Sequence, residues 1–439
     1  MRTIAIALLA GAALSAHAQP DVTFEARTFV NTPGEPADPF DNIEAFNSAT
    51  TDFLIGNQPT AVAFDGENLY IGGNINGAAA RIAIAEISDF FGSAGAKNVP
   101  GSEVPAGQVT PGSGYTGMDW SDELGLVATW DAGSAAGADQ VFRFMRDAPD
   151  DFSQTLQVSA AGIRGSSGVA YDFGFDGMGF ELSDGSMGPA VAVPVFGSGG
   201  PFGLDPTTFA PGDDIYGPDN ALFNLFVEGT STLWRDYDIH PDTGLVVGRA
   251  ANLAILGDRT ESNGTTNLRV ITPPGGDEPF VVAQNVEIIH NPECGAEMIV
   301  LNDRPDSSDL SGTFQSRVLL YDLQGNPMSY EVLLPDGTQA AIPGDSNIYS
   351  FFWYEPDQLL FVVDGINRNA LALELQCPGE ESCVAADLAE PFGLLDGADV
   401  NAFISAFGGS DAAADLNDDG VVDGADVNTF ITQFGAGCP

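Results

Sequence analysis

The feature that most limits what this chain can become is a recurrent unit. An alternating strand leads into a turn of Asp, Gly or Pro, and an apolar strand follows. Residues Ala61 to Gly72, Gly117 to Ala128, Tyr237 to Gly248 and Phe351 to Val362 are clear copies, with weaker ones starting near Gly168 and Val286. The starts fall near 61, 117, 168, 236, 286 and 350, so the spacings are 56, 51, 68, 50 and 64. Turn chemistry of this kind between two strand-like runs makes a β-hairpin. Units of 50 to 70 residues have room for about four strands each. One such sheet cannot bury both of its faces, so the units must stack on one another.

Radial stacking at this period is the mark of a β-propeller. Six blades fit the starts, and seven if residues 19–60 supply one. Alternatively, Val22, Phe24 and Ala26 form a strand that closes the ring. A large β-sandwich is the competing architecture. The Gly/Pro-rich stretches 92–114 and 197–219 read as inter-strand loops on one rim. Residues 19–376 form this domain, and about residues 50–376 resemble secreted β-propellers with NHL or WD40-like blades. That resemblance rests on the hairpins and carries no catalytic residue over.

Charge narrows the partners. Asp and Glu number 62 against 14 Lys and Arg, a formal charge of −48, and Lys97 is the single lysine. A chain so anionic repels DNA and RNA throughout their approach, which excludes nucleic acid and leaves cations as natural small partners. Met1-Arg2, an apolar run to Ser15 and Ala16-His17-Ala18 spell a secretory signal peptide over residues 1–18. The expected location is therefore outside the cell or on its surface, and no later stretch is long and apolar enough to be a transmembrane segment. Export permits disulfides. Cys294, Cys377, Cys383 and Cys438 allow three connectivities. Cys383 and Cys438 bracket the tail closely, so that pair is favoured, leaving Cys294 with Cys377.

From Ala386 the composition turns to short helices and acidic loops, and residues 377–439 form a second, small α-helical module. Asp415, Asn417, Asp419, Asp423 and Asp426 occupy positions 1, 3, 5, 9 and 12 of a loop with Gly420 at position 6. Val421, at position 7, offers its backbone carbonyl. Hard oxygen donors wrapped by one short loop around a sharp glycine turn are what calcium requires. The following helix carries an apolar stripe of Val427, Phe430, Ile431 and Phe434 that is expected to be buried. Val400, Phe403, Ile404 and Phe407 repeat it 27 residues earlier. The first loop runs from Asp387 through Asp396 to Asp399. It has Ala389 at position 3 and an extra residue in Glu390-Pro391-Phe392 before Gly393, so it is expected to bind calcium weakly or not at all.

Two loop–helix units in tandem resemble a type I dockerin, an EF-hand-like module with aspartate at loop position 12, as Asp426 is here. The resemblance covers about 55 residues. It implies that Asp415, Asn417, Asp419, Asp423 and Asp426 ligate calcium, with Val421 through its carbonyl. It also implies a cohesin-like or cell-surface protein as partner and a role beside polysaccharide degradation. Gly424-Ala425 and Gly397-Ala398 stand where the family usually presents Ser or Thr for cohesin recognition.

No catalytic constellation stands out. Beyond the leader only His240 and His290 remain, at comparable places in two hairpins. They read as hairpin-turn residues, the sharper alternative being a catalytic or metal-binding pair near the propeller axis. Asp119, Asp172, Asp238 and Glu287 recur at one point of the repeat, which argues for hydrogen bonds to turn amides rather than catalysis. Asp303, Asp306 and Asp309 form an acidic loop with donors for a second cation. Trp120, Trp130, Trp234 and Trp353 read as blade core more than as a sugar platform. The sequence thus points to a secreted β-propeller binding protein anchored or assembled through a calcium-binding, dockerin-like tail. The alternative is a polysaccharide-degrading hydrolase or lyase with the same tail.

Overall fold

The structure is a computed structural model that describes residues 21–27, 55, 58–75, 81–86, 97–102, 113–122, 125–131, 140–148, 151–159, 170–172, 180, 181, 187, 188, 190–193, 202–204, 234–250, 253–259, 265–274, 285–292, 294–303, 317–334, 339, 340, 348–364, 369–377, 386, 388, 389, 397–409, 412–417 and 421–436. Residues 1–18, expected to be a leader, lie outside the described residues.

The apolar/polar alternation that marks Val22, Phe24 and Ala26 makes β1 (Val22–Ala26), with those three side chains buried and Thr23 and Glu25 half-buried. The first blade contains β2 (Gln58–Phe64), β3 (Asn68–Ile75), β4 (Ile82–Glu86) and β5 (Lys97–Asn98), each antiparallel to the next. The second contains β6 (Ser113–Ser121), β7 (Gly125–Asp131), β8 (Gln140–Ala148) and β9 (Asp151–Ser159). The ends of β3 and β6 pair as well, linking the two blades.

Next, β10 (Ala170–Asp172) joins a three-stranded sheet with two later strands, after the short pair β11 (Phe180–Glu181) and β12 (Met187–Gly188). Those two strands are β13 (Ala190–Val193) and β14 (Phe202–Leu204). A further four-stranded blade is β15 (Trp234–Ile239), β16 (Leu245–Ala250), β17 (Leu253–Arg259) and β18 (Thr265–Ile271). Another is β19 (Val286–Asn291), β20 (Ala296–Asp303), β21 (Arg317–Tyr321) and β22 (Pro327–Met328).

Finally, β23 (Tyr330–Leu333) and β24 (Gln339–Ala340) precede β25 (Ile348–Tyr354), β26 (Leu359–Asp364) and β27 (Asn369–Gln376). The last blade takes its fourth strand from the other end of the chain: β1 pairs antiparallel with β27 and parallel with β23. The described part of residues 19–60 therefore makes no sheet of its own, and its first strand closes the last one.

These are five blades in a propeller-like ring, with the three-stranded sheet of β10 lying between the second blade and that of β15. The first strands touch in succession, β2 to β6, β6 to β10, β10 to β15, β15 to β19, β19 to β25 and β25 back to β2, so they stand at the centre. Each hairpin that the sequence marks thus supplies a central strand. The stretch 197–219, expected as loop, contains β14; the rest of it lies outside the described residues.

The core lies in the seams between blades. Val22, Phe24 and Ala26 pack with Ile289, Val300, Leu360 and Leu373 where the last two blades meet. Leu245, Val247 and Leu256 meet Ile288, Ile299 and Leu301 between the β15 and β19 blades. Each such fully buried side chain contributes about 1.5–3 kcal/mol relative to exposure. The disulfide Cys294–Cys377 ties the β19–β20 hairpin to the end of β27. Cys383 and Cys438 lie outside the described residues.

The tail holds α1 (Gly397–Gly409), a 3-10 turn at Ala412–Ala414 and α2 (Gly424–Ala436). Phe403 and Phe430 stack at its centre, ring centroids 4.3 Å apart, with Val400, Phe407, Val427 and Phe434 around them. One expectation is corrected. Ile404 and Ile431 are 62% and 61% exposed, because two helices alone cover only the narrow seam that the Phe pair fills. No helix among the described residues is long and apolar enough to cross a membrane.

Candidate functional site

The central strands carry acids that reach from one blade to the next. Asp236 and Asp238 alternate along β15, His240 continues the alternation just past its end, and all three face β19. The Asp236 carboxylate accepts the amide N–H of Val286 at 3.0 Å and the Asn285 side-chain amide at 3.3 Å. Asp238 accepts the amide N–H of Ile288 and, at 2.7 Å, that of Ile239. Glu287 then accepts the amide of Trp353 on β25 at 2.8 Å. The expectation that Asp238 and Glu287 bond backbone amides holds, with a difference of place: the amides belong to the neighbouring central strand rather than to a turn. Asp119 accepts the amide of Trp120 at 2.8 Å. Asp172 ends β10.

Burial governs their charge. It pushes the Glu287 carboxyl well above the usual range, helped by the nearby charges of Asp238, Asp119 and Asp236. Burial likewise lifts Asp238 to about 7 and Asp236 well above its ordinary value, against the amide bonds that favour ionisation. These acids are employed in joining blades.

At the end of β15 the chain turns through Pro241–Gly244 into β16. His240 is fully buried, and its Nδ1 accepts the amide N–H groups of Asp242 at 3.1 Å and Thr243 at 3.3 Å. This is the turn-capping role the sequence suggested. His290, 6% exposed at the end of β19, lies against it with ring centroids 4.6 Å apart. Glu297 stands opposite His290 in the β19–β20 register. Its Oε1 is 3.5 Å from His240 Nε2 and 3.6 Å from His290 Nδ1, and His290 Nε2 is 3.1 Å from Asp242 Oδ2. Both inward nitrogens, His240 Nε2 and His290 Nδ1, are buried and have no hydrogen-bond partner among the described residues.

One donor atom from each of His240, His290 and Glu297 lies within 4.8 Å of the other two, a spacing that a small cation could use. The protons argue otherwise. Two amide donors occupy the Nδ1 lone pair, so neutral His240 carries its hydrogen on Nε2 and turns a donor, not a lone pair, toward Glu297. His290 fits a ligand's pattern better, with Asp242 on its far nitrogen, but alone with Glu297 it makes a sparse site.

In the tail, Asp426 is buried, and its carboxylate accepts the amides of Asp423 at 2.8 Å and Asn417 at 3.3 Å. Asp399, equally buried, accepts those of Leu388 at 2.7 Å and Ala389 at 2.9 Å. Asp415 is half-buried, Asn417, Val421 and Asp423 are exposed, and Asp419 lies outside the described residues. The described donors are all oxygen, which suits a hard cation. Asp387 and Asp396 lie outside the described residues, as do Asp306 and Asp309, while Asp303 ends β20 and is buried.

Trp130 is fully buried blade core, as expected, and Trp120 and Trp353 are half-buried. Trp120 stacks on Tyr70, and the Trp353 indole N–H donates to the His290 carbonyl at 3.0 Å. Only the backbone of Trp234, in β15, is described. Sequence reasoning missed Asp236, Asp242 and Glu297. The signal for Glu297 was the hairpin register that sets it against His290.

No family model matches the chain, and no curated protein matches it. Among solved structures, an auxiliary nutrient binding protein from Bacteroides thetaiotaomicron is similar at 13% identity and TM-score 0.45, over 79% of this chain and 75% of that one. The major Malassezia sympodialis allergen Mala s 1 is similar at 12% identity and TM-score 0.43, over 78% and 97%. Raptor of Chaetomium thermophilum follows at 10% identity and TM-score 0.38, over 74% and 28%. Likenesses this distant assign neither a family nor an activity.

Proposed function

We propose that this chain is an exported binding protein, a six-bladed propeller followed by a calcium-braced, dockerin-like tail that tethers or assembles it. The sixth blade is the sheet of β10, β13 and β14, whose first strand stands in the central succession between β6 and β15. Binding is preferred to catalysis because the acids and histidines best suited to chemistry are held in hydrogen bonds between or within blades. Asp238 and Glu287 join central strands, and His240 caps a turn.

The observation that carries the tail reading is the matched pair Asp399 and Asp426. Each is a buried aspartate at the start of a helix, folded back onto the amides of its own acidic loop. Asp415, Asn417, Asp419, Asp423 and Asp426 would hold calcium in the second loop, with the Val421 carbonyl. The ion would cross-link a loop that two short helices cannot order alone. The tail's partner is a cohesin-like or cell-surface protein.

Calorimetric titration with calcium tests the tail. Wild type should take up calcium at the second loop, and Asp415→Ala should weaken that uptake at least tenfold. Equal uptake by both proteins overturns the reading. A polysaccharide panel assayed for reducing ends and unsaturated products tests the propeller, and turnover lost in His240→Ala or His290→Ala would make it an enzyme instead.

A further inference from the structure

The histidine pair has a use that goes beyond binding or tethering. Three backbone bonds hold the base of the His240 turn: His240 to Leu245, Gly244 to His240, and Arg259 to Gly244. The tip, Pro241 to Thr243, is exposed, and its two free amides are capped only by His240 Nδ1 among the described bonds. The opposite wall is fixed. The β19–β20 hairpin is fastened by Cys294–Cys377 and by the Trp353 indole on the His290 carbonyl. Asp242 at the exposed tip reaches across to His290 on the opposite wall.

We infer that the His240 turn is an acid-sensitive latch on the seam between the β15 and β19 blades, closed while His240 is neutral and released when it takes up a proton. The capping bonds need the Nδ1 lone pair. A solvent proton that occupies it replaces an acceptor with an N–H aimed at two other N–H groups. The same proton places a cation in a buried site beside His290.

Among the described residues, the charges that act on His240 are those of His290, Glu297 and Asp242. His290 and Glu287 lie on β19, Glu297 on β20, Asp242 in the turn, Asp238 on β15, and Asp258 and Arg259 on β17. Glu287 points into the next seam, where it binds Trp353. Burial, and then the charge of His290, hold the His240 pKa below its ordinary value, with Glu297 and Asp242 pulling the other way. The sign follows. Stability held by the neutral ring is present above the unfolded value near 6.5 and is lost as pH falls through the lower folded value.

Amide hydrogen exchange at Asp242 and Thr243, corrected for intrinsic rate, reads the latch directly. On the full chain with calcium present, protection should drop about tenfold or more between pH 7.5 and 5. His240→Asn is the decisive variant, because an asparagine Oδ1 sits where Nδ1 does and caps the same amides without titrating. It should stay protected at both pH values. Wild-type protection that does not change with pH overturns the inference, as does an equal loss in His240→Asn. Stoichiometric zinc uptake at pH 7.5 that disappears in His240→Asn overturns it too, since Nε2 would then present a lone pair.

Discussion

Glu287 on β19 accepts the backbone amide of Trp353 on β25 at 2.8 Å, and Asp238 on β15 does the same for Ile288 on β19. On these two central strands, carboxylates thus take amides of the neighbouring blade's first strand, Asp236 adding a second such bond to Val286. Each bond favours the ionised acid while burial favours the neutral one, and burial prevails.

A pH dependence follows from Asp238. Its folded value of about 7 lies above the unfolded 3.8, so the folded chain holds this proton more tightly. The stability this confers is complete below about 4 and is lost as pH rises toward 7. Asp238→Asn removes the titration, and the urea midpoint should fall less between pH 4 and 7 than in wild type. Parallel curves for the two proteins refute the assignment. His240 acts in the opposite direction over part of this range, so the difference between variants, not the wild-type curve, is the measurement.

The hairpins were legible because each joins local periodicity to local turn chemistry. Asp65 shows why: it accepts the amides of Glu67 at 2.9 Å and Asn68 at 2.6 Å within its own turn. What those turns touch was not legible. Asp65 also receives the Tyr70 hydroxyl and Arg146, 81 residues away on β8, each at 2.6 Å. Glu297 escaped for the same reason, since its neighbour His290 is set by register across a hairpin and His240 by the stacking of blades. The Cys294–Cys377 pairing was within reach because four cysteines leave few choices. The exposed Ile404 and Ile431 were misread because helical periodicity marks a face without saying how much of it a neighbour covers.

The disulfide closes a separation of 83 residues. In the chain-entropy model such a loop restricts the unfolded chain by about 4.5 kcal/mol. The Cys294→Ser, Cys377→Ser double variant should therefore unfold at a clearly lower denaturant concentration. A midpoint within error of wild type would mean that the seam alone fixes the end of β27.

Phe430 and Ile431 are sequence neighbours with opposite surroundings. Phe430 stacks on Phe403 and is 6% exposed, whereas Ile431 is 61% exposed. Phe430→Ala should destabilise the tail by about 3–5 kcal/mol, and Ile431→Ala by less than about 0.5 kcal/mol. Thermal unfolding of the tail with calcium present, followed by helical circular dichroism, separates the two. Equal losses would place Ile431 in a buried contact and undo the description of the helix pair.

Gly72 tests how closely the first two blades approach. A Cβ there would lie 2.7 Å from Tyr115 Cβ and 3.4 Å from Met118 Sδ, both on β6. Tyr115 is itself immobilised, with its hydroxyl donating to the Ser102 carbonyl at 2.7 Å and its ring against Trp130. Neither strand can give way cheaply, so Gly72→Ala should cost about 1–3 kcal/mol through overpacking. A smaller backbone gain, of about 0.4–1 kcal/mol, offsets part of that. Gly295 is the control. Nothing stands within 4 Å of its Cβ position, and its φ of +63° leaves only the local cost of a left-handed side chain. That cost is about 1–2 kcal/mol. Steric origin can be separated from backbone strain by a second change: Tyr115→Gly, which removes the crowding Cβ and is destabilising alone, should make Gly72→Ala nearly neutral in its background and leave Gly295→Ala unchanged. A Gly72 penalty that persists without the Tyr115 Cβ would assign the crowding instead to Met118 Sδ and Ala61 Cβ, which lie 3.4 and 3.5 Å from the added atom.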